Sequence, residues 1–294
     1  DHLLLDYPDV LYISSSGNTG NKFSSPFNTV GAPASCKNVF AVGATNSAGF
    51  GSGLGYVVDF TSRGPSADGR MKPDILAPGY ALDSALSFST NCKAEEDSYL
   101  KAGTSMAAPV IAGVGALVRE YYQEGWYPCG SRYCGATLDP SGSLVKATIA
   151  NGGQYTKGVQ QGGTENIIKT QPVRPYDNNQ GMGETNLLTT LPLTNENDFN
   201  MFVENDVKLT YGESKAYVLN INKAGCSSDL SATIAWYDQV GSNGCQRCLV
   251  NDIDLLVEKI SPDAAKYYPN GKGSRDGMNT IERVRINTSP GDKY

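Results

Sequence analysis

The chain has 294 residues, 39% of them hydrophobic, enough to bury a full core with room for two domains. Its formal net charge is -6 with no block of Lys or Arg, which argues against a nucleic-acid groove. No apolar run approaches the roughly 18 residues of a membrane-spanning helix, so no span is expected. The chain starts Asp1-His2-Leu3, without an initiator Met or a signal sequence, and reads as a piece of a longer polypeptide.

Leu3, Leu4 and Leu5 read as the end of a helix. Residues 10–14 (Val-Leu-Tyr-Ile-Ser) form a short apolar run between Pro8 and a Ser- and Gly-rich stretch, the pattern of a buried parallel strand. Asn18 then falls in the loop at the carboxyl end of that strand, where open α/β sheets place their ligands. As a residue between two glycines, Asn18 fits a plain turn equally well. Residues 39–44 (Val-Phe-Ala-Val-Gly-Ala) and 75–77 (Ile-Leu-Ala) read as two further buried strands. The segments between them are rich in Gly, Ser and Pro, and long loops around a rigid sheet are where binding surfaces usually lie.

Gly103-Thr104-Ser105-Met106-Ala107-Ala108-Pro109 runs into an apolar segment ending at Tyr122. Val110, Val114, Leu117 and Tyr121 recur at helical spacing, with Ala and Gly on the other faces. The spacing predicts a helix buried nearly all round and stopped by Gly125. Thr104 or Ser105 suits the N-cap, with Pro109 within or just past the first turn. Ser105 would sit in the positive field of the helix dipole, beside a glycine that lets another backbone approach. Local physics alone fits a simple capping serine as well as a reactive one. Residues 144–150 suggest another helix, and residues 151–179 a Gly- and Gln-rich excursion without periodicity.

After about Asn195 the texture changes. Residues 208–211, 215–221, 232–237, 253–257 and 283–286 are short, β-rich and separated by Gly, Asn, Asp and Pro, as in an antiparallel sandwich or jelly-roll. Asp252 and Asp254 alternate with Ile253 and Leu255, which would place both carboxylates on one strand face. With Asn251, and with Asp276, Asn279 and Glu282 from the next turn region, they offer hard oxygen ligands suited to a structural Ca2+; a solvated strand face is the plain alternative. No other cofactor is expected. Seven cysteines include the close pairs Cys129 with Cys134 and Cys245 with Cys248. The first reads as a loop staple of a secreted protein; Cys-x-x-Cys in the second admits zinc, redox chemistry or a short bridge. The odd count leaves one thiol free or paired with a segment outside the chain. Asn287-Thr288-Ser289 is a glycosylation sequon, followed closely by Pro290.

The motifs say more as strings. Gly-Thr-Ser-Met-Ala-Ala-Pro at 103–109 resembles the nucleophile motif of the subtilisin-like serine proteases. Asp74-Ile75-Leu76-Ala77-Pro78-Gly79, Phe60-Thr61-Ser62-Arg63-Gly64-Pro65 and Ser16-Gly17-Asn18 are similar to that family's segments, in the family's order. Gly181-Met182-Gly183 with Asn186-Leu187-Leu188 resembles its last glycine turn and helix. The region around Ala235-Trp236-Tyr237 and residues 249–255 resembles the β-domain attached to certain alkaline subtilases of bacilli. The resemblance implies the later part of a parallel-sheet α/β catalytic domain over residues 1–195. A jelly-roll-like β-sandwich, truncated before its closing strand, would occupy 196–294. It implies peptide hydrolysis of protein or peptide substrates outside the cell, with Ser105 as nucleophile and Asn18 as side-chain donor of the oxyanion hole.

A serine hydroxyl needs a general base and a carboxylate to orient that base. The sole histidine, His2, precedes Leu3-Leu4-Leu5 rather than small residues and lies too near Asn18 for the family's layout, so it reads as a helix-end residue. The catalytic Asp and His are expected upstream of Asp1, in the missing N-terminal part, and the chain by itself is expected to be inactive. Two other readings remain open at this stage: a pseudoprotease scaffold, and a β-module whose binding of a partner or carbohydrate is the main role.

Overall fold

The computed structural model describes residues 1–22, 25, 27–48, 54–87, 94–160, 174–221 and 229–294, with backbone alone for 85–87 and 94–99. In chain order the elements are α1 (His2–Asp6), β1 (Ile13–Ser15), β2 (Phe40–Asn46), β3 (Tyr56–Val57), β4 (Ile75–Tyr80), β5 (Leu82–Ser87), β6 (Ala94–Lys101), α2 (Thr104–Gln123), α3 (Gly142–Gly152), β7 (Gly158–Val159), α4 (Leu187–Thr190), β8 (Asp229–Ala235), β9 (Val257–Lys259), β10 (Ala265–Tyr267) and β11 (Ile281–Asn287). They fall into two compact units. One comprises Tyr12–Val114 with Gly153–Thr185; the other comprises Asp1–Leu11, Gly115–Gly152 and Asn186–Tyr294.

The first unit is built on a five-stranded mixed sheet. β2 lies at its centre, buried at every position, with β1 and β4 parallel to it along opposite edges. β3 pairs antiparallel with the far end of β2 at Thr45, and β7 runs parallel to β3. A strand covered on both faces cannot alternate apolar with polar, which is why β2 reads as an unbroken run of small and apolar residues. The strands expected at 39–44 and 75–77 are both present and both longer, while that expected at 10–14 starts only at Ile13. β5 and β6 form a separate antiparallel pair.

Two devices align β4 with β2. Asp74, just before β4, returns both backbone bonds of Ala41: its N–H donates to the Ala41 carbonyl (2.9 Å) and its Oδ2 accepts from Ala41 N–H (2.7 Å). The same oxygen receives Lys72 Nζ at 2.7 Å, and Lys72 also donates to the Val39 carbonyl (3.1 Å). Burial pushes the Lys72 ammonium below its ordinary range, with Asp74 opposing the shift. At the other end the register slips between Thr45 and Asn46, where Pro78 and then Tyr80 face β2 and Gly79 is the extra residue. Proline and glycine suit such a bulge because one cannot donate to the ladder and the other has no side chain to place.

The second unit packs α3 against β8, β11 and α4. β8 and β11 pair antiparallel from Ile281↔Ala235 to Asn287↔Asp229, and β9 pairs antiparallel with β10. Arg283 donates to the Ala150 carbonyl at 2.6 Å, and Asn151 Oδ1 accepts from Ser231 (2.7 Å) and Thr233 (2.8 Å). The carboxyl end of α3 is thereby fixed to this pair, where a cation also meets the negative pole of the helix. Val257, Val284 and Tyr294 form a small core with Leu230, Leu255 and Ile286 around it.

Several expectations are corrected here. Residues 208–211 and 215–221 are not strands: Leu209, Tyr211, Tyr217 and Val218 are exposed, and Asn220 alone makes a bridge, to Lys293. Alternating residues become a strand only when a sheet face buries one set, and of these residues Ile221 alone packs against the core. The strand expected at 253–257 begins at Val257, because Leu255 N–H goes to the Glu282 carboxylate (2.6 Å) instead of a ladder. α2 is buried along Ala107, Ile111, Val114, Val118 and Tyr122, while Leu117 is 47% exposed, so one stripe and not the whole circumference is covered. Cys129–Cys134 and Cys245–Cys248 are disulfides, which removes zinc as a reading of the second pair. Cys36 is a free thiol, and Cys92 and Cys226 lie outside the described residues.

Removing one partner of a buried ion pair leaves an uncompensated charge. Asp74→Ala is therefore expected to cost roughly 3–5 kcal/mol in urea denaturation. A cost below about 1 kcal/mol would contradict the role given to this pair.

Candidate active site

β1 ends in the loop of residues 16–20, and that loop is held in place from two sides. Ser16 N–H continues the β1–β2 ladder to the Val42 carbonyl (2.8 Å). Gly17 has φ +110°, and a Cβ there would lie 2.8 Å from Ser62 Oγ, so only glycine fits. From residues 60–65, Ser62 N–H donates to the Gly17 carbonyl (2.9 Å), Ser62 Oγ accepts Thr19 N–H (3.2 Å), and the Phe60 carbonyl accepts Gly20 N–H (2.9 Å). Thr61 ties the same segment to β2 through Ala44.

The start of α2 reaches the same place from β4. Gly103 N–H donates to the carbonyl of Gly79, the bulge residue, at 2.8 Å. A Cβ on Gly79 would lie 2.7 Å from Ala44 Cβ and 2.8 Å from the Gly103 carbonyl oxygen, so the bulge lets the helix approach the sheet. α2 begins at Thr104, and the carbonyl of the residue before it, Gly103, accepts Met106 N–H at 2.9 Å. Asn18, 86 residues earlier, supplies the capping oxygen: its Oδ1 accepts Thr104 N–H at 2.9 Å and Thr104 Oγ1–H at 2.9 Å. Thr104 Oγ1 in turn accepts Gly17 N–H (3.2 Å).

This pattern fixes the orientation of the Asn18 amide. A backbone N–H can only be met by an acceptor, so Oδ1 faces Thr104 and Nδ2 faces away, near Gly103. Asn18 and Ser105 are both exposed. The Ser105 hydroxyl and N–H and the Asn18 Nδ2 have no hydrogen-bond partner among the described residues. Pro109, the sixth residue of α2, brings no N–H back to the Ser105 carbonyl. The Ser105 hydroxyl and N–H thus follow directly on Thr104, whose bonds hold Asn18 with its amide nitrogen turned away, a set of groups able to attack a carbonyl and to donate to the oxyanion that results. Thr104 is a residue whose role the sequence alone did not disclose, although it stands inside the motif that singled out Ser105.

The other candidates lie elsewhere. His2 bonds Asp6 within α1 at 3.2 Å, both side chains exposed. Asp252 and Asp254 precede β9 rather than sharing a strand face; Asp252 pairs with Arg247 (2.7 Å) and Asp254 with Arg275 (3.2 Å). Among the described residues no three His, Cys, Asp or Glu side chains form a ready metal cage.

The sequence profile of the subtilase family (peptidase S8) matches residues 5–181. The chain belongs to that family, and its first unit carries the family's α/β sheet. The serine protease/ABC transporter B family protein tagA of Dictyostelium discoideum is 27% identical over 260 residues, covering 80% of this chain and 14% of that protein. The serine protease AprX of Bacillus subtilis is 33% identical over 112 residues, 35% of this chain and 24% of the relative. Among solved structures, the prenylagaramide maturation protease PagA is 24% identical with a TM-score of 0.41, covering 64% of this chain and 52% of that one. The chain thus spans a small part of the length of the curated relatives it matches.

Thr104→Val keeps the shape of the side chain but removes a donor to Asn18 and an acceptor for Gly17. It is expected to destabilise the chain by about 1–3 kcal/mol, read as a lower Tm. An unchanged Tm would show that Thr104 does not hold this loop.

Proposed function

We propose that the chain is part of a secreted serine endopeptidase that hydrolyses peptide bonds through an acyl-enzyme on Ser105. The observation that carries this reading is the double hydrogen bond from Thr104 to Asn18 Oδ1, which turns the Asn18 amide nitrogen outward beside an exposed serine at a helix N-terminus. Ser105 Oγ attacks the scissile carbonyl carbon while a base takes its proton. Asn18 Nδ2 and Ser105 N–H stabilise the oxyanion of the tetrahedral intermediate. The C–N bond then breaks, the leaving amine takes the proton, and water hydrolyses the ester by the same sequence.

The base and its orienting carboxylate come, in this reading, from a part of the polypeptide before Asp1, since His2 is engaged with Asp6. The antiparallel pairs of the C-terminal region belong to a β-sandwich over residues 196–294. The two disulfides support an oxidising, extracellular setting.

In the full-length polypeptide Ser105→Ala should abolish peptide hydrolysis and covalent labelling by a fluorophosphonate while leaving the melting curve nearly unchanged, since the hydroxyl is exposed and makes no hydrogen bond among the described residues. Retained labelling would exclude Ser105 as nucleophile. The 294-residue chain alone should turn over no peptide; turnover above that of its Ser105→Ala form would place the base within it.

A further inference from the structure

Asn287-Thr288-Ser289 has the acceptor pattern for an N-linked sugar, and no other asparagine of the chain is followed two residues later by Ser or Thr. The pattern by itself says nothing of access, because an asparagine can equally be spent inside the fold. Asn270 and Asn279 are spent in this way: each is buried and donates to Asp276 at 2.7 Å.

Asn287 is placed differently. It is the last residue of β11, opposite Asp229 at the first position of β8. Successive residues of a strand point to opposite faces, and Val284 and Ile286 belong to the small core of the second unit, so Asn287 shares the other face with Arg283 and Arg285. On that face Arg283 is covered by α3, to whose Ala150 carbonyl it donates, and Arg285 pairs with Asp229 at 3.0 Å. Asn287 lies past both and is exposed. Its amide makes no hydrogen bond among the described residues, and neither does the Ser289 hydroxyl.

The chain turns directly after the acceptor tripeptide. Asp292 N–H donates to the Ser289 carbonyl (3.0 Å), and Asp292 Oδ2 accepts Ser289 N–H (2.8 Å). Pro290 and Gly291, the latter with φ +91°, fill the central positions that a type II turn reserves for such residues. Pro290 stands outside the tripeptide and has this structural task of its own. A Cβ on Gly291 would meet nothing within 4 Å, so the space beside the turn is open.

We propose that Asn287 is an N-glycosylation site, which takes an oligosaccharide from a lipid-linked diphosphate donor. The Asn287 amide nitrogen displaces the diphosphate from the anomeric carbon of the sugar: an N–C bond forms, a C–O bond breaks, the amide gives one proton to a base of the transferring enzyme, and nothing is oxidised or reduced. Transfer takes place in the compartment where disulfides form, so it rests on the secreted setting proposed for the chain and not on the hydrolytic chemistry of Ser105. The two side chains that transfer requires, the Asn287 amide and the Ser289 hydroxyl, hold nothing else in place, and variants at either position are therefore expected to fold.

The test is peptide mapping of the full-length polypeptide purified from eukaryotic cells and their medium, with free thiols alkylated before digestion. The tryptic peptide from Ile286 to Lys293 should carry sugar, and peptide N-glycosidase in water enriched in heavy oxygen should convert its Asn287 to a labelled Asp. The label should be lost in Asn287→Gln and in Ser289→Ala, and kept in Ser289→Thr. A bare Asn287 in the parent would overturn the proposal. With Cys129–Cys134 and Cys245–Cys248 oxidised, the site alone would have failed; with those cysteines alkylated, the secreted setting would have failed with it. A label that survives Ser289→Ala would also overturn it, since attachment would then not follow the acceptor tripeptide.

Discussion

The hydrogen bonds between Thr104 and Asn18 join two stretches of chain that are each shaped by something else, and the geometry of the candidate site depends on their meeting. Asn18 stands on a loop whose path is set by Gly17 and by the Ser62 segment; Thr104 stands on a helix whose approach is set by the Gly79 bulge. Because the contact is made by one side-chain oxygen accepting two donors, the amide has a single workable orientation. The nitrogen that remains is a fixed donor rather than a freely turning one. Preorganised donors of this kind act on developing charge without the reorganisation that water would require.

Behind that contact stands the sheet. β2 bonds to β1 on one edge and β4 on the other, so the loop after β1 and the bulge near the end of β4 emerge at the same end of the strands. The Lys72–Asp74 pair fixes the opposite end of the β2–β4 register. A one-residue slip there would displace Gly79 from Gly103, and with it the first turn of α2. The motif of residues 74–79 thus works at both of its ends: a carboxylate that sets register and a Pro-Gly bulge that admits a helix.

Much of this was legible in the sequence, and the division follows physical lines. β2 and β4 were placed by their unbroken apolar runs and α2 by its helical spacing; β1 was placed with its start three residues early because Val10 to Tyr12 are as apolar as a strand, although of these only Tyr12 reaches β2, its carbonyl accepting Phe40 N–H at 2.9 Å. Ser105 and Asn18 were singled out by their strings, and the fold joins Asn18 to Thr104, the residue before Ser105. What the sequence could not disclose were interactions between distant residues: the capping of α2 by Asn18, the support from Thr104, and the diversion of Leu255 N–H to Glu282. The C-terminal strands were the least legible. Alternating Leu, Tyr and Val between 208 and 219 look like a strand, but whether a second face exists to bury them is not a local property.

In the proposed mechanism Asn18 is a donor to charge that appears only during reaction. Steady-state kinetics of the full-length Asn18→Ala polypeptide test this most directly, because removing the amide also uncaps α2 and so lowers stability on either reading. The expected result is a kcat lower by roughly 10²–10³ with KM little changed. A kcat within about twofold of the parent, accompanied only by a lower Tm, would reduce Asn18 to a helix cap and contradict the account.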